Sequence, residues 1–235
     1  MAEVGASTSA GAGGFGGVSA GGSPKPDAAK DGEGGGMDSG EGGGAGEGAG
    51  GATGGAARQE PGLRLFFALW PDSATSAALH ARARTLQAEC GGRAMRRDTI
   101  HLTLAFLGDT PAREVERLQA LAAQLEGERF ALVLDHVGSW KRNRVLWTGP
   151  SILPPALAAL AQDLEARLRV AGFALEERAF SPHVTLVRTA RVAPAAAPLT
   201  PLRWRVASFV LVASERSAAG AHYRVIGRWP LQQRG

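Results

Sequence analysis

The sequence predicts an α+β or α/β domain over residues 58–235, behind a flexible tail over residues 1–57. Three observations predict it. Residues 1–57 hold 22 of the 33 glycines in the 235-residue chain, with too little apolar surface to offset the entropy of ordering them. Beyond them, short apolar runs bounded by turn residues alternate with segments of helical periodicity. Finally, one short motif occurs twice, 82 positions apart, about half the length of the folded part.

The elements follow in order. Arg64-Leu-Phe-Phe-Ala-Leu-Trp70 is an apolar run ended by Pro71-Asp72, which reads as a buried strand. Asp72 or Ser73 can cap a helix running to about Glu89 and stopped by Gly91-Gly92. A strand is expected at Ile100–Leu107, then a turn at Gly108-Asp109-Thr110-Pro111, with Thr110 capping the next helix. Val115, Leu118, Ala122 and Leu125 share the face of that helix. Phe130–Val137 and Arg144–Thr148 read as strands around the polar turn Lys141-Arg142-Asn143. Pro154-Pro155 opens a helix that buries Leu157, Leu160, Leu164 and Leu168 and ends at Gly172. A strand is expected to reach Phe180, and others to span His183–Val187, Trp204–Ala213 and His222–Trp229, the last two joined by a turn at Ser217–Gly220.

Charge and cysteine usage narrow the function. Residues 1–57 carry seven acids and two lysines, whereas residues 58–235 carry 24 basic against 15 acidic side chains, a net of +9. A body this basic favours a polyanion or a phosphate-bearing ligand. One cysteine, Cys90, excludes an internal disulfide framework and a cysteine zinc cluster, and a half-buried apolar role suits it. No apolar run is long enough for a membrane span, and the N-terminus lacks the basic start and apolar core of a secretory signal. A soluble cytoplasmic protein is therefore expected.

The repeated motif carries the chemistry. Ile100-His101-Leu102-Thr103-Leu104 and Pro182-His183-Val184-Thr185-Leu186 each read His-x-Thr-x with apolar x, and each follows a helix ended by glycine. On a strand, His101 and Thr103 share one face and Leu102 and Leu104 the other; His183 and Thr185 divide from Val184 and Leu186 in the same way. An internal repeat suggests two similar lobes facing one cleft, which would then hold two imidazoles and two hydroxyls. That set suits phosphodiester hydrolysis. One imidazole can deprotonate water while the other protonates the leaving oxygen, since an unperturbed pKa near 6.5 allows either role. Hydroxyls can bind the non-bridging oxygens.

A single His-x-Thr strand occurs by chance, so the inference rests on recurrence: of five histidines, two sit in matching apolar contexts. His80, His136 and His222 lack that context and read as surface or structural. A metal site would need further ligands, yet only Asp98 and Asp109 lie near the motifs and threonine is a poor ligand. Neither a metal nor another cofactor is expected.

These residues resemble the two-histidine phosphoesterase superfamily, and more narrowly the bacterial RNA 2′,3′-cyclic phosphodiesterases of the LigT/ThpR type, also called 2′-5′ RNA ligases. The matching stretches are Arg64-Leu-Phe-Phe-Ala-Leu69, Ile100–Gly108, Phe180–Arg188, Arg144-Val-Leu-Trp147, Ser214-Glu215 and the closing Tyr223–Leu231. The resemblance covers about Leu63 to Leu231. It implies an α+β bilobal fold of two pseudo-symmetric lobes, each with an antiparallel sheet and outer helices, around a central groove. It also implies metal-independent hydrolysis of an RNA terminal 2′,3′-cyclic phosphate to a 2′-phosphate. His101 would be the proton donor to the leaving 3′ oxygen and His183 the acceptor from water, with Thr103 and Thr185 on the phosphate. The partner would be RNA with cyclic phosphate ends, tRNA fragments among them, and the enzyme a monomer. Reverse 2′-5′ ligation is a family side activity.

Arg188 matches a family position after the second motif, where a guanidinium could neutralise phosphate. Strict alternation, however, puts it on the face of Val184 and Leu186, unless a bulge reorients it. Arg144 fits a solvated turn as well as an RNA contact. Trp140 or the Phe66-Phe67 pair could stack on a base, although core packing suits the phenylalanines and Trp147 better. Two rivals remain: a phosphodiesterase for another cyclic or 2′-5′ linked nucleotide, and a non-catalytic RNA-binding module of the same fold.

Overall fold

Strand β1, Gly62–Leu69, is apolar and buried from Leu65 onward because both of its faces are covered there. Leu65, Phe67 and Leu69 enter the main core, while Phe66 and Ala68 pack with Val210 and Val212 on the opposite side. The structure is a computed structural model that describes residues 62–194, 199–217 and 220–233. The tail expected over residues 1–57 lies outside the described residues, as does the centre of the turn expected at Ser217–Gly220.

Helix α1 (Ser73–Cys90) starts where the Asp72 carboxylate accepts the Thr75 backbone N–H at 2.7 Å, and stops at Gly91 with φ of 70°. Strands β2 (Arg93–Ala94) and β3 (Leu102–Pro111) follow. Gly108-Asp109-Thr110-Pro111 does not end β3 or open a helix. Pairing with Gly62–Leu65 carries β3 through this stretch, and Gly108, at φ of 68°, absorbs a register shift where a turn was expected. Helix α2 therefore begins at Glu114 and runs to Ala123, with Leu118 and Ala122 buried.

The run expected as one strand over Phe130–Val137 is two: β4 (Phe130–Leu134) and β5 (His136–Trp140). Trp204–Ala213 likewise divides into β8 (Leu202–Val206) and β9 (Ser208–Ser217). The reason is shared, because β4 and β8 pair with each other in a separate two-stranded sheet, so both chains must break to change sheets. Between them lie β6 (Val145–Gly149), helix α3 (Pro155–Val170) and β7 (Val184–Arg188); β10 (Gly220–Pro230) comes last. The strand expected to reach Phe180 is absent. Residues 171–183 are irregular, and Leu175, Glu176 and Arg178 to Ser181 line a cavity instead of pairing.

The strand order is β10-β9-β1-β3-β7-β6-β5, with β2 also on β7 and antiparallel pairing throughout. Two four-stranded halves thus meet at β3 and β7, joined by a single residue pair, Leu102↔Val184. The buried leucines of all three helices join the core that holds Leu102 and Val184. Helix α1 packs on β7 and β2, α3 on β3, and α2 on β3 and β10. The opposite face at the junction is left to the motif side chains. Among the described residues, no helix is long and apolar enough to cross a membrane.

Gly92 lies against the end of β7. At φ of 87°, a Cβ there would lie 2.6 Å from the Arg188 carbonyl oxygen and 2.8 Å from the Ala190 nitrogen, whereas one at Gly172 would meet nothing within 4 Å. Gly92→Ala is therefore expected to lower stability by at least about 2 kcal/mol, and Gly172→Ala by about 1 kcal/mol, in urea unfolding.

Candidate active site

The pair Leu102↔Val184 builds the site. Both side chains are fully buried in the main core, so their neighbours in sequence turn to the other face. Antiparallel register then sets His101 opposite Thr185 and Thr103 opposite His183. All four are half-buried. Each imidazole sits beside the other motif's hydroxyl, and the two imidazoles occupy diagonal corners. Diagonal neighbours across an antiparallel pair lie about 7–8 Å apart. A phosphate between them would have a ring nitrogen on each side.

Both rings are held alike. His101 Nδ1–H donates to the Thr99 carbonyl at 2.7 Å and His183 Nδ1–H to the Ser181 carbonyl at 2.8 Å. A carbonyl can only accept, which fixes the proton on Nδ1 and leaves the lone pair of the neutral ring on Nε2. Around His101 stand Trp70, parallel within 3° at 5.6 Å, Phe66 at 4.8 Å and Tyr223 edge-on at 5.3 Å. His183 packs edge-on to Trp140 at 4.5 Å. Burial pushes both pKa values from 6.5 down to about 4. Nearby positive charge adds to this: Arg188 acts on both rings, Arg178 on His183, and a charged His183 on His101.

Arg188 reaches this face through a bulge. In β6 and β7, Leu146 pairs with Val187 but Trp147 pairs with Thr185, so Leu186 is an extra residue. Leu186 and Val187 are both fully buried in the same core, which returns Arg188 to the face of Thr185. Strict alternation thus breaks at one residue of β7.

Beside His183 opens a cavity of about 540 Å³ lined by Thr103, Phe106, Trp140, Arg178 and Ser181, among others. Arg178 went unmarked in the sequence, where it falls in the strand expected to reach Phe180. It pairs with Glu176 at 2.6 Å while burial lowers its pKa. Trp70 and Tyr223 were also missed, since only the fold brings positions so distant in sequence to one ring.

Of the remaining candidates, the other three histidines, Phe67 and Cys90 lie apart from the motif histidines, while Phe66 and Trp140 pack against them. His80 Nδ1 lies 2.9 Å from the Met95 carbonyl, His136 packs near Trp147, and His222 is exposed. Phe67 is in the core, while Phe66 is buried against His101; Trp140 and Trp147 are buried around Val145. Cys90 is 3% exposed, and burial raises its pKa. Among the described residues, no three His, Cys, Asp or Glu side chains gather as a metal site.

Comparison with known proteins gives the family. The pattern of the LigT like phosphoesterase family matches residues 69–147 and 149–223. The chain belongs to that family. The RNA 2′,3′-cyclic phosphodiesterase of Escherichia coli is 36% identical over 173 residues, covering 72% of this chain and 97% of that protein. The enzyme of the same name from Thermus thermophilus is 30% identical over 184 residues, 72% of this chain and 91% of its own. The crystal structure of E. coli LigT complexed with 3′-AMP superposes with a TM-score of 0.63 at 34% identity, over 74% of this chain and all of that one.

The depressed histidine pKa values tie the site to stability. Between about pH 4 and 6.5 the unfolded chain binds more protons than the folded one, so stability falls as pH is lowered through that window. The urea midpoint of the protein is expected to drop between pH 6.5 and 4, and to drop less in His101→Gln/His183→Gln. Equal losses would contradict burial of neutral rings.

Proposed function

We propose that this phosphoesterase hydrolyses the 2′,3′-cyclic phosphate at the end of an RNA to a 2′-phosphate, with His101 as proton donor and His183 as proton acceptor. The observation that carries the reading is the diagonal placement of the two imidazoles across the Leu102↔Val184 pair. In-line displacement at phosphorus needs the attacking and leaving oxygens on opposite sides, and a base and an acid to match. The relatives named RNA 2′,3′-cyclic phosphodiesterase support the substrate class.

In this mechanism His183 takes a proton from water through Nε2 as the water oxygen bonds to phosphorus. The bond from phosphorus to the 3′ oxygen breaks, and His101 gives that oxygen its proton. One water is consumed, and the products are a 2′-monophosphate and a free 3′ hydroxyl. Thr103 and Thr185 donate to the non-bridging oxygens, and Arg188 offsets their charge. Two imidazoles supply both proton transfers, so the reaction is metal-independent and needs no cofactor. If an RNA 5′ hydroxyl replaces water, the same groups make a 2′-5′ bond, which is the ligation expected of the family. The natural setting in this reading is a cytoplasmic monomer acting on RNA ends.

With pKa values of about 4, His183 is already a neutral base at neutral pH, whereas His101 must gain its proton as the anionic phosphate arrives. That asymmetry gives the pH profile a definite form. The alkaline limb of kcat/KM, which reports the free enzyme, is expected below pH 6.5, and the limb of kcat at higher pH. A profile flat from pH 5 to 9 would contradict the pairing.

The direct assay is hydrolysis of a short RNA ending in a 2′,3′-cyclic phosphate with EDTA present. Formation of a 2′-phosphate is expected, with kcat lowered about 10²- to 10⁴-fold in His101→Ala and His183→Ala. Thr103→Ala and Thr185→Ala should lose about 10- to 100-fold, as for one hydrogen bond to a charged group. No turnover by the parent chain on any cyclic end, with RNA binding retained in both histidine variants, would favour a binding module instead.

A further inference from the structure

The cavity of about 540 Å³ beside His183 is larger than the proposed hydrolysis needs. A single water takes only about 10–15 Å³ of cavity, whereas small-molecule sites run from about 300 to 1,000 Å³. Its position is one-sided. Among the described residues, Thr103 and His183 are the members of the motif quartet that line it. These two face each other across the Leu102↔Val184 pair, so the cavity opens at their end of the quartet. Phe106, Trp140 and Phe180 also line it, and aromatic rings are the side chains on which bases stack. The charged lining residues are two acids and one base, Glu165, Glu176 and Arg178, a sum of −1 in a body of net +9. Glu176 holds Arg178 at 2.6 Å, and Glu165 holds Arg169 at 2.9 Å. A phosphate entering here would compete with a carboxylate for each guanidinium; an uncharged nucleoside would not.

We infer that this cavity is the seat of the attacking group, and that it takes a nucleoside with a free 5′ hydroxyl, the first residue of a second RNA strand. This rests on the reaction proposed above. There the 3′ oxygen leaves toward His101, which keeps the ribose of the cyclic end on the far side of the phosphate. The attacking oxygen comes from the side of His183, where the cavity lies. Once the nucleoside is seated, its 5′ oxygen bonds to phosphorus and its hydroxyl proton passes to His183 Nε2. The bond from phosphorus to the 3′ oxygen breaks, and His101 gives that oxygen its proton. The product is a 2′-5′ phosphodiester beside a free 3′ hydroxyl, and no water is consumed. Whether the cavity is filled thereby sets the choice between transfer and hydrolysis, and its charge selects a 5′-hydroxyl end over a 5′-phosphate end.

The test is a partition assay with the full chain. A short RNA ending in a 2′,3′-cyclic phosphate is kept saturating, and the dinucleotide ApA, with a free 5′ hydroxyl, is added at rising concentration. The 2′-5′ linked product is expected to rise to a plateau while the 2′-phosphate falls in step, because water and nucleoside compete for one seat. The 5′-phosphorylated pApA should leave hydrolysis unchanged within twofold at the ApA concentration that halves it. Ala179→Trp, on the cavity wall, should lower transfer at least about tenfold, the worth of one stacked base, and spare hydrolysis, which needs room for a water only. Three results would overturn the seat: no effect of ApA, transfer that climbs linearly with ApA at no loss of hydrolysis, or equal inhibition by pApA. An equal loss of both reactions in a variant that keeps the parent's thermal midpoint would do the same. If the variant unfolds, the parent's response to ApA and pApA decides. Hydrolysis of the donor without ApA reads the reaction alone. Its failure in the parent would sink the proposed function, and equilibrium dialysis of ApA against the chain with an RNA 2′-phosphate bound would still decide the seat.

Discussion

One backbone pairing organises the molecule. Leu102 and Val184 are the single pair that joins β3 to β7, and both are sealed in a core to which all three helices contribute. Because side chains alternate along a strand, burying these two residues forces His101, Thr103, His183 and Thr185 to the opposite face. Because the pairing is antiparallel, the two histidines fall on a diagonal and each meets the other motif's threonine. A slip of one residue in this register would turn one motif's histidine and threonine to the wrong face. The packing of α1 on β7 and α3 on β3 resists such a slip.

Electrostatics gives that placement its chemical direction. The two rings share a tautomer, set by Nδ1–H bonds to the carbonyls of Thr99 and Ser181. Aromatic walls and arginines then disfavour a charged imidazole at both positions. In the proposed reaction this suits the base and burdens the acid, and the difference is made up by the substrate's own negative charge. The same arginines that depress the imidazoles attract the phosphate that reverses the effect. Arg188 is brought to the face of Thr185 by the bulge in β7.

Much of this was legible in the sequence. The motif repeat, the strand alternation and the family resemblance gave the quartet and the α+β class, and capping residues gave α1 and α3 almost to the residue. The misreadings have physical causes. Gly108-Asp109-Thr110-Pro111 has turn chemistry, yet a partner strand holds it extended. The breaks at Asp135 and Ala207 carry no glycine or proline, since they arise from a change of sheet. The β7 bulge is invisible in Thr185-Leu-Val-Arg188, where every residue favours a plain strand except through the pairing with β6. Arg178, Trp70 and Tyr223 come near the motif histidines only by tertiary packing, and no local pattern marks them.

In the proposed reaction the two imidazoles stand on opposite sides of one phosphate with distinct roles. Replacing the bridging 3′ oxygen of the cyclic substrate by sulfur tests it most directly, because a thiolate leaves without a proton. Single-turnover hydrolysis of this substrate should recover most of the rate lost in His101→Ala and none of that lost in His183→Ala. Equal recovery in both variants, or recovery only in His183→Ala, would contradict the assignment of donor and acceptor.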